Sequence, residues 1–301
     1  MEGVDYHDTF VLVTKLVTVR TLLEITVKRD WIIHQLDVNN AFLHGDLDEE
    51  VYMKIPQDFS IDNETRVCRL RKSLYGLKQA SRNWYHKFTT FLQSLNFRQS
   101  KADHSLFIYK AGSIMVVVLI YVDEVIITGN NLIKIQETKK QLDDEFNIKY
   151  LGPLKYFLGI EFVADPRNNH LEAANCVLGY LKATPGQAKS EYRVMASTVS
   201  EIIWVRWLLS ELHVHNPLAT PLFYDNQAAR HIANNPVFHE RTKQVEMDCY
   251  FVRERVESKE IIPMKISSKI QIADLLTKAL PAHQHQFLLG KIGITDSHAP
   301  S

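Results

Sequence analysis

The sequence predicts an α+β fold in which helices pack against an antiparallel sheet. Three observations point there. Residues 114–121 and 125–128 are apolar, β-branched runs that meet at Tyr121-Val122-Asp123-Glu124, the pattern of two buried strands joined by a tight turn. Trp84, Phe88, Phe91, Leu92 and Leu95 fall on one helical stripe, as do Leu132, Ile135, Lys139, Leu142 and Phe146. Finally, a length of 301 residues with 46% hydrophobic and 23% charged composition is that of an ordinary globular chain with room for two cores.

The elements follow in order. Leu16, Val19, Leu22, Leu23 and Thr26 space as a helix face, and residues 31–38 then read as a strand with Ile33, Gln35 and Asp37 on one side. Residues 39–43 form a turn or short helix, 50–55 a strand, 78–95 a long helix and 106–109 another strand. After the hairpin and the helix over 132–146, residues 156–162 are apolar and aromatic enough to close the sheet. Further on, Tyr192, Met195, Val199, Ile202 and Leu209 mark a long helix, while 221–224 and 260–266 are the two clear strands of that half. Asp274 falls in a C-terminal helix.

Composition excludes several classes. Cys68, Cys176 and Cys249 have no paired spacing, which argues against a disulfide framework or a zinc site and makes them core fillers in a reducing compartment. Residues 1–30 lack a signal-peptide pattern, and the most apolar run is broken by Asp123 and Glu124 well short of the roughly 20 residues a membrane helix needs. The expectation is an intracellular protein, cytoplasmic or nuclear, neither secreted nor membrane-bound.

A formal net charge of zero conceals an asymmetry: residues 66–101 carry nine Lys or Arg and no acid, whereas 46–64 are acidic. A solvated helix face is the plain reading of a charge run. The interleaved Tyr75, Trp84, Tyr85 and Phe88 add the aromatic faces that nucleic-acid bases stack on, beside the cations that phosphates require. Because Trp84 and Phe88 belong to the helix stripe, stacking falls to Tyr75 or Tyr85.

Asp37 ends one strand, and Asp123 with Glu124 sits at the hairpin tip. Adjacent carboxylates against an apolar sheet are unfavourable unless they reach water or a cation, and hard oxygen donors suit Mg²⁺. If the strands are neighbours, the acids converge in a cluster able to hold two divalent ions about 4 Å apart, the arrangement of nucleotidyl transfer. Unrelated surface acids are the alternative on spacing alone.

Four ordered blocks carry a family resemblance. They are Gln35-Leu36-Asp37-Val38-Asn39-Asn40-Ala41-Phe42-Leu43-His44-Gly45-Asp46-Leu47, then Leu74-Tyr75-Gly76-Leu77-Lys78-Gln79-Ala80-Ser81-Arg82, then Tyr121-Val122-Asp123-Glu124, then Leu151-Gly152-Pro153-Leu154-Lys155-Tyr156-Phe157-Leu158-Gly159-Ile160. Together they resemble the reverse transcriptase of Ty1/copia-type retrotransposon Pol polyproteins. The resemblance implies a palm-like antiparallel sheet. It also implies Asp37, Asp123 and Glu124 as ligands of two Mg²⁺ (or Mn²⁺) ions, and Gly76, Lys78, Gln79 and Arg82 as nucleotide and template contacts. RNA template, DNA primer and deoxynucleotides are the implied partners, and residues 151–160 the segment that grips the primer end.

The second half resembles the ribonuclease H of the same polyprotein through Ser190-Glu191-Tyr192, Tyr224-Asp225-Asn226-Gln227, His239-Glu240-Arg241-Thr242-Lys243 and Ala273-Asp274-Leu275-Leu276-Thr277-Lys278. Glu191, Asp225 and Asp274 are the implied metal ligands. The expected organisation is 1–163 reverse transcriptase with the fingers largely missing, 164–187 a connecting helical remnant, and 188–301 an incomplete ribonuclease H-like α/β remnant.

Departures accompany these matches. The family's acidic pair is two aspartates, whereas position 124 is Glu, and a misplacement of about 1 Å in a pre-organised site can cost on the order of 100-fold in rate. The text also jumps between Phe162 and Asp165 and between Gln187 and Ala188, where the resemblance implies intervening sequence, including the first catalytic aspartate of the ribonuclease H. A weak or inactive polymerase, or a remnant that only binds nucleic acid through residues 66–101, is the resulting expectation, with no ribonuclease H activity.

Overall fold

The computed structural model describes residues 14–56, 59, 66–157, 160–161, 188–214, 217–224, 246–267, 270–272, 274–277 and 280–291. The chain divides into two compact units, Met1–Phe162 and Val163–Ser301.

The first unit is built on a six-stranded sheet. In chain order its described elements are helix α1 (Leu16–Lys28), strand β1 (Ile33–Val38), a 3₁₀ turn (Ala41–His44), β2 (Asp46–Lys54), β3 (Val67–Lys72), helix α2 (Ala80–Ser94), β4 (Arg98–Gln99), β5 (Leu106–Ala111), β6 (Ile114–Tyr121), β7 (Glu124–Gly129), helix α3 (Leu132–Phe146), β8 (Ile148–Pro153), β9 (Tyr156–Phe157) and β10 (Ile160–Glu161). The strand order is β4-β5-β6-β7-β1-β8, and every pairing in it is antiparallel. The expected antiparallel sheet with packed helices is thus present.

Side-chain alternation explains how this sheet holds together. Leu36 and Val38 of β1, Val116, Val118 and Ile120 of β6, and Val125 and Ile127 of β7 project to one face. There they meet Trp84, Phe88 and Leu92 of α2, spaced at intervals of four, and Ile135, Leu142 and Phe146 of α3. Each such side chain contributes about 1.5–3 kcal/mol when fully buried. Asn131 caps α3 by accepting from the Lys134 backbone N–H at 2.8 Å, and Asn147 ends that helix in the left-handed conformation.

The opposite face is buried as well: Val117, Leu119 and Ile126 are fully enclosed. Helix α1 is tied to this unit by the Thr14 hydroxyl, which donates to the Ile120 carbonyl at 2.8 Å, and by Thr18, which donates to Asp103.

Three expectations need correcting. The apolar stretch 156–162 does not close the sheet; β9 and β10 pair only with each other, and the closing strand is β8. Its residues are mostly exposed, so it lacks the apolar signature of a buried strand and is recruited by pairing with β1 at the sheet edge. The basic stretch after Arg66 also contains an unanticipated strand, β3, which pairs with β2 in a two-stranded ribbon outside the main sheet. Cys68 lies in that ribbon and is only half-buried, because a ribbon has no core to fill.

In the second unit the described elements are helix α4 (Ala188–Glu211), β11 (Thr220–Tyr224), helix α5 (Glu246–Glu257), β12 (Ile261–Lys265), and the short helices α6 (Asp274–Thr277) and α7 (Ala282–Lys291). β11 and β12 pair in parallel, and Leu222 and Ile261 pack against Val199 and Ile203 of α4 and Val252 of α5.

Candidate active site

The sheet brings the expected acids together. β1 lies directly beside β7, and in their register Asp37 is the partner of Glu124. Cross-strand partners project to the same side, so the two carboxylates occupy one face, opposite Leu36, Val38 and Val125, which point into the helix-covered core. Asp123 is the next residue along, in the turn that joins β6 to β7, and its carbonyl accepts the Val38 N–H at 2.9 Å.

Electrostatics register the closeness. The Glu124 carboxyl is pushed above its ordinary value by burial first, then by the charges of Asp123 and Asp37. Each of the three acids is half-buried, neither fully solvated nor lost in the core. A divalent cation would relieve this repulsion, and the donor set consists of the hard oxygens that Mg²⁺ or Mn²⁺ prefers. The residues suit such an ion by the chemistry of their donors. Among the described residues, however, no group of three or more His, Cys, Asp or Glu side chains is gathered as a ready-made ligand set.

The turn itself is unusual. Tyr121 and Glu124 pair, leaving Val122 and Asp123 as its two central residues, and Val122 has φ 57°. Positive φ at the first central position only is the pattern of a type II′ turn, which ordinarily takes glycine there. A β-branched residue in that conformation stores about 1–3 kcal/mol of strain. The Val122 carbonyl accepts a hydrogen bond from the Trp84 indole N–H at 2.7 Å. Trp84 was legible as a core residue; its bond to the turn was not, because nothing in the spacing of α2 indicates where an indole nitrogen points.

The other expected contacts are dispersed around α2. Gly76, at φ 91°, and Lys78 are exposed on the approach to the helix, Gln79 occupies its N-cap position without a side-chain capping bond, and Arg82 lies exposed on its first turn. Gln79 and Arg82 line a cavity of about 910 Å³ together with Asp46, Asp48, Glu49 and Lys87. Gly76, Lys78 and the three carboxylates are not among its lining residues.

The acidic and basic stretches meet here. Arg69 pairs with Glu50 at 3.0 Å, Lys72 with Asp46 at 3.2 Å and Lys87 with Asp46 at 3.5 Å, while Gln79 donates to Glu49 at 3.2 Å. Tyr75 is 57% exposed beside Phe42 and remains accessible to a base. Tyr85 is half-buried: its hydroxyl donates to the His104 carbonyl at 2.9 Å and its ring packs partly on the core while also lining the cavity.

Of the second set of acids, Glu191 lies near the start of α4, Asp225 lies outside the described residues, and Asp274 is buried at the first position of α6.

A family profile described as reverse transcriptase (RNA-dependent DNA polymerase) matches residues 1–184. The chain belongs to this family. Among curated proteins, the chain is 28% identical over 431 residues to the Retrovirus-related Pol polyprotein from transposon RE1 of Arabidopsis thaliana, with 97% of this chain and 29% of that protein covered. It is likewise 28% identical over 430 residues to the polyprotein from transposon RE2 of the same plant, covering 97% of the chain and 30% of the relative. To that from transposon TNT 1-94 of Nicotiana tabacum it is 23% identical over 440 residues, covering 97% and 33%. These matches bear out the resemblance to a Ty1/copia-type Pol polyprotein. The chain spans about a third of the length of the curated relatives it matches. The RE1 alignment runs over 431 positions although the chain has 301 residues, so that relative carries substantial sequence without a counterpart here. Among the described residues, no helix is long and apolar enough to cross a membrane.

Proposed function

We propose that Asp37, Asp123 and Glu124 are the carboxylates of an RNA-directed DNA polymerase centre, and that this copy of it is weak or inactive because position 124 is glutamate. The carrying observation is the register of Asp37 opposite Glu124 with Asp123 adjacent. Two divalent ions, Mg²⁺ or Mn²⁺, supply activation of the primer 3′ hydroxyl and stabilisation of the phosphate leaving group when bound. Asp37 and Asp123 would hold them. Glu124 adds a carboxylate one methylene longer than aspartate, on a strand residue whose backbone is fixed by pairing with β1 and β6, so the extra length is taken up by the side chain. Gln79 and Arg82, on the cavity beside α2, are the candidate contacts to template and incoming nucleotide; Gly76 and Lys78 precede them on the same approach.

Primer extension on an RNA template, comparing the chain with its Glu124→Asp variant, tests this reading. More product is expected from the variant; no product from either removes the polymerase assignment. What would then remain is a binding remnant, supported by Arg82 and Lys87 beside the cavity and by the exposed Tyr75. Its mark is affinity for RNA and DNA that drops steeply with salt, as phosphate contacts require.

Within the same reading, 1–163 is the polymerase region, 164–187 a connecting remnant and 188–301 a truncated ribonuclease H-like region. The long α4 carrying Glu191, the parallel β11–β12 pair and Asp274 on α6 support that last assignment. No ribonuclease H activity is expected. Cleavage of the RNA strand of an RNA and DNA hybrid, lost on Asp225→Asn, is the contrary result.

A further inference from the structure

We infer that Trp84 is a positioning residue for the carboxylate pair, holding the Val122–Asp123 turn in its left-handed conformation through the indole N–H. This rests on reading Asp37, Asp123 and Glu124 as metal ligands, and it adds a residue that touches neither substrate nor ion.

Three observations carry it. Val122 sits at φ 57°, a conformation its β-branched side chain opposes, so something outside the turn must favour it. Its carbonyl receives the Trp84 Nε1–H at 2.7 Å, short and from a single rigid donor. The donor is immobilised in its turn: Trp84 is 1% exposed, with ring centroids 5.1 Å from Phe146, 5.4 Å from Phe88 and 5.7 Å from His44.

The backbone around α2 is shaped to keep the indole there. A Cβ on Gly45 would lie 2.8 Å from the Trp84 backbone nitrogen, so the chain passes the start of α2 at a distance only glycine permits. On the other side of the turn, Asp123 donates no such rigidity of its own; its carbonyl is held by Val38 N–H on β1. The turn is thus fixed at two successive carbonyls, one from the core helix and one from the strand that bears Asp37. Rotation of the Val122–Asp123 peptide would break the first contact and release the backbone that carries Asp123.

The test uses the full chain with Trp84→Phe, which keeps an aromatic ring in the stack and removes the N–H. In metal-free protein, isotope-edited NMR at Val122 reads the short HN–Hα distance that marks positive φ; it is expected to lengthen in the variant. Mn²⁺ affinity, measured by calorimetry, is expected to fall about fivefold, the worth of one ordinary hydrogen bond. Adding Val122→Gly should restore that affinity, because glycine takes positive φ without strain. A merely structural tryptophan would lower thermal stability and leave the Val122 signature and Mn²⁺ affinity in place, which overturns the inference, as does a double variant no better than Trp84→Phe. If the unsubstituted chain binds no Mn²⁺, the metal reading fails by itself and the Val122 signature still decides the positioning role. Should the phenylalanine variant not fold, benzothienylalanine at position 84, with sulfur in place of the N–H, makes the same comparison.

Discussion

Glu124 binds its proton more tightly in the folded chain than in the unfolded one, because burial and then the charges of Asp123 and Asp37 raise its carboxyl above the ordinary value of 4.5. The sign follows from linkage: stability from this group is greatest at low pH and declines as pH rises from about 4.5 through the folded value. Glu124→Gln should therefore raise the urea midpoint at pH 7, with the advantage closing as pH approaches 4.5; an equal or lower midpoint at pH 7 would count against the crowding of these three acids. Millimolar Mg²⁺ should narrow the gap by favouring the charged form. At this scale the identity of the acids was legible, since Asp37 ends a β-type run and the acidic pair interrupts another. Their convergence was not, because it depends on β1 entering the sheet beside β7. The positive φ of Val122 was hidden for a different reason: local preference argues against valine there, and only the contact from Trp84 and the pairing around it override that preference.

Secondary-structure elements with one buried face were easiest to read. α2 and α3 announce themselves by spacing, and β6 and β7 by their apolar continuity, whereas β8, exposed at the sheet edge, carries no such pattern. The β6–β7 pairing leaves a sharp prediction at its open end. A Cβ on Gly129 would lie 2.3 Å from the Met115 carbonyl oxygen, so Gly129→Ala should cost about 2–3 kcal/mol by forcing the strands apart, read as a lower denaturation midpoint. The ribbon of β2 and β3 invites another. Asp46 engages both Lys72 and Lys87, so part of the basic stretch is neutralised internally. Asp46→Asn should strengthen binding to single-stranded RNA about twofold to fivefold at low salt and steepen its salt dependence, since exposed pairs of this kind are worth at most about 1 kcal/mol. Unchanged affinity in a filter-binding titration would mean that these cations do not meet phosphate.

For the molecule as a whole, the two units differ in what holds them. The first has a six-stranded sheet enclosed on both faces, while the described part of the second has a two-stranded one, a size that depends on helix packing for stability. Calorimetry should show two transitions, the lower from the second unit; a single transition with matching calorimetric and van't Hoff enthalpies would show the chain unfolding as one. The two clear strands of the second half were legible at this scale and pair as β11 and β12, but the order of strands within the larger sheet was not, because pairing over long separations leaves no local mark on composition.

The place of β1 between β7 and β8 also sets a timetable for synthesis. A chain leaving the ribosome presents Ile33–Val38 with neither neighbour yet made, and it must wait until residues up to Pro153 have emerged before both edges are filled. Until then a strand with open hydrogen-bonding edges is exposed to other chains. At about 5–20 residues per second that interval lasts roughly 6–23 seconds, during which pairing with another chain competes with pairing in the sheet.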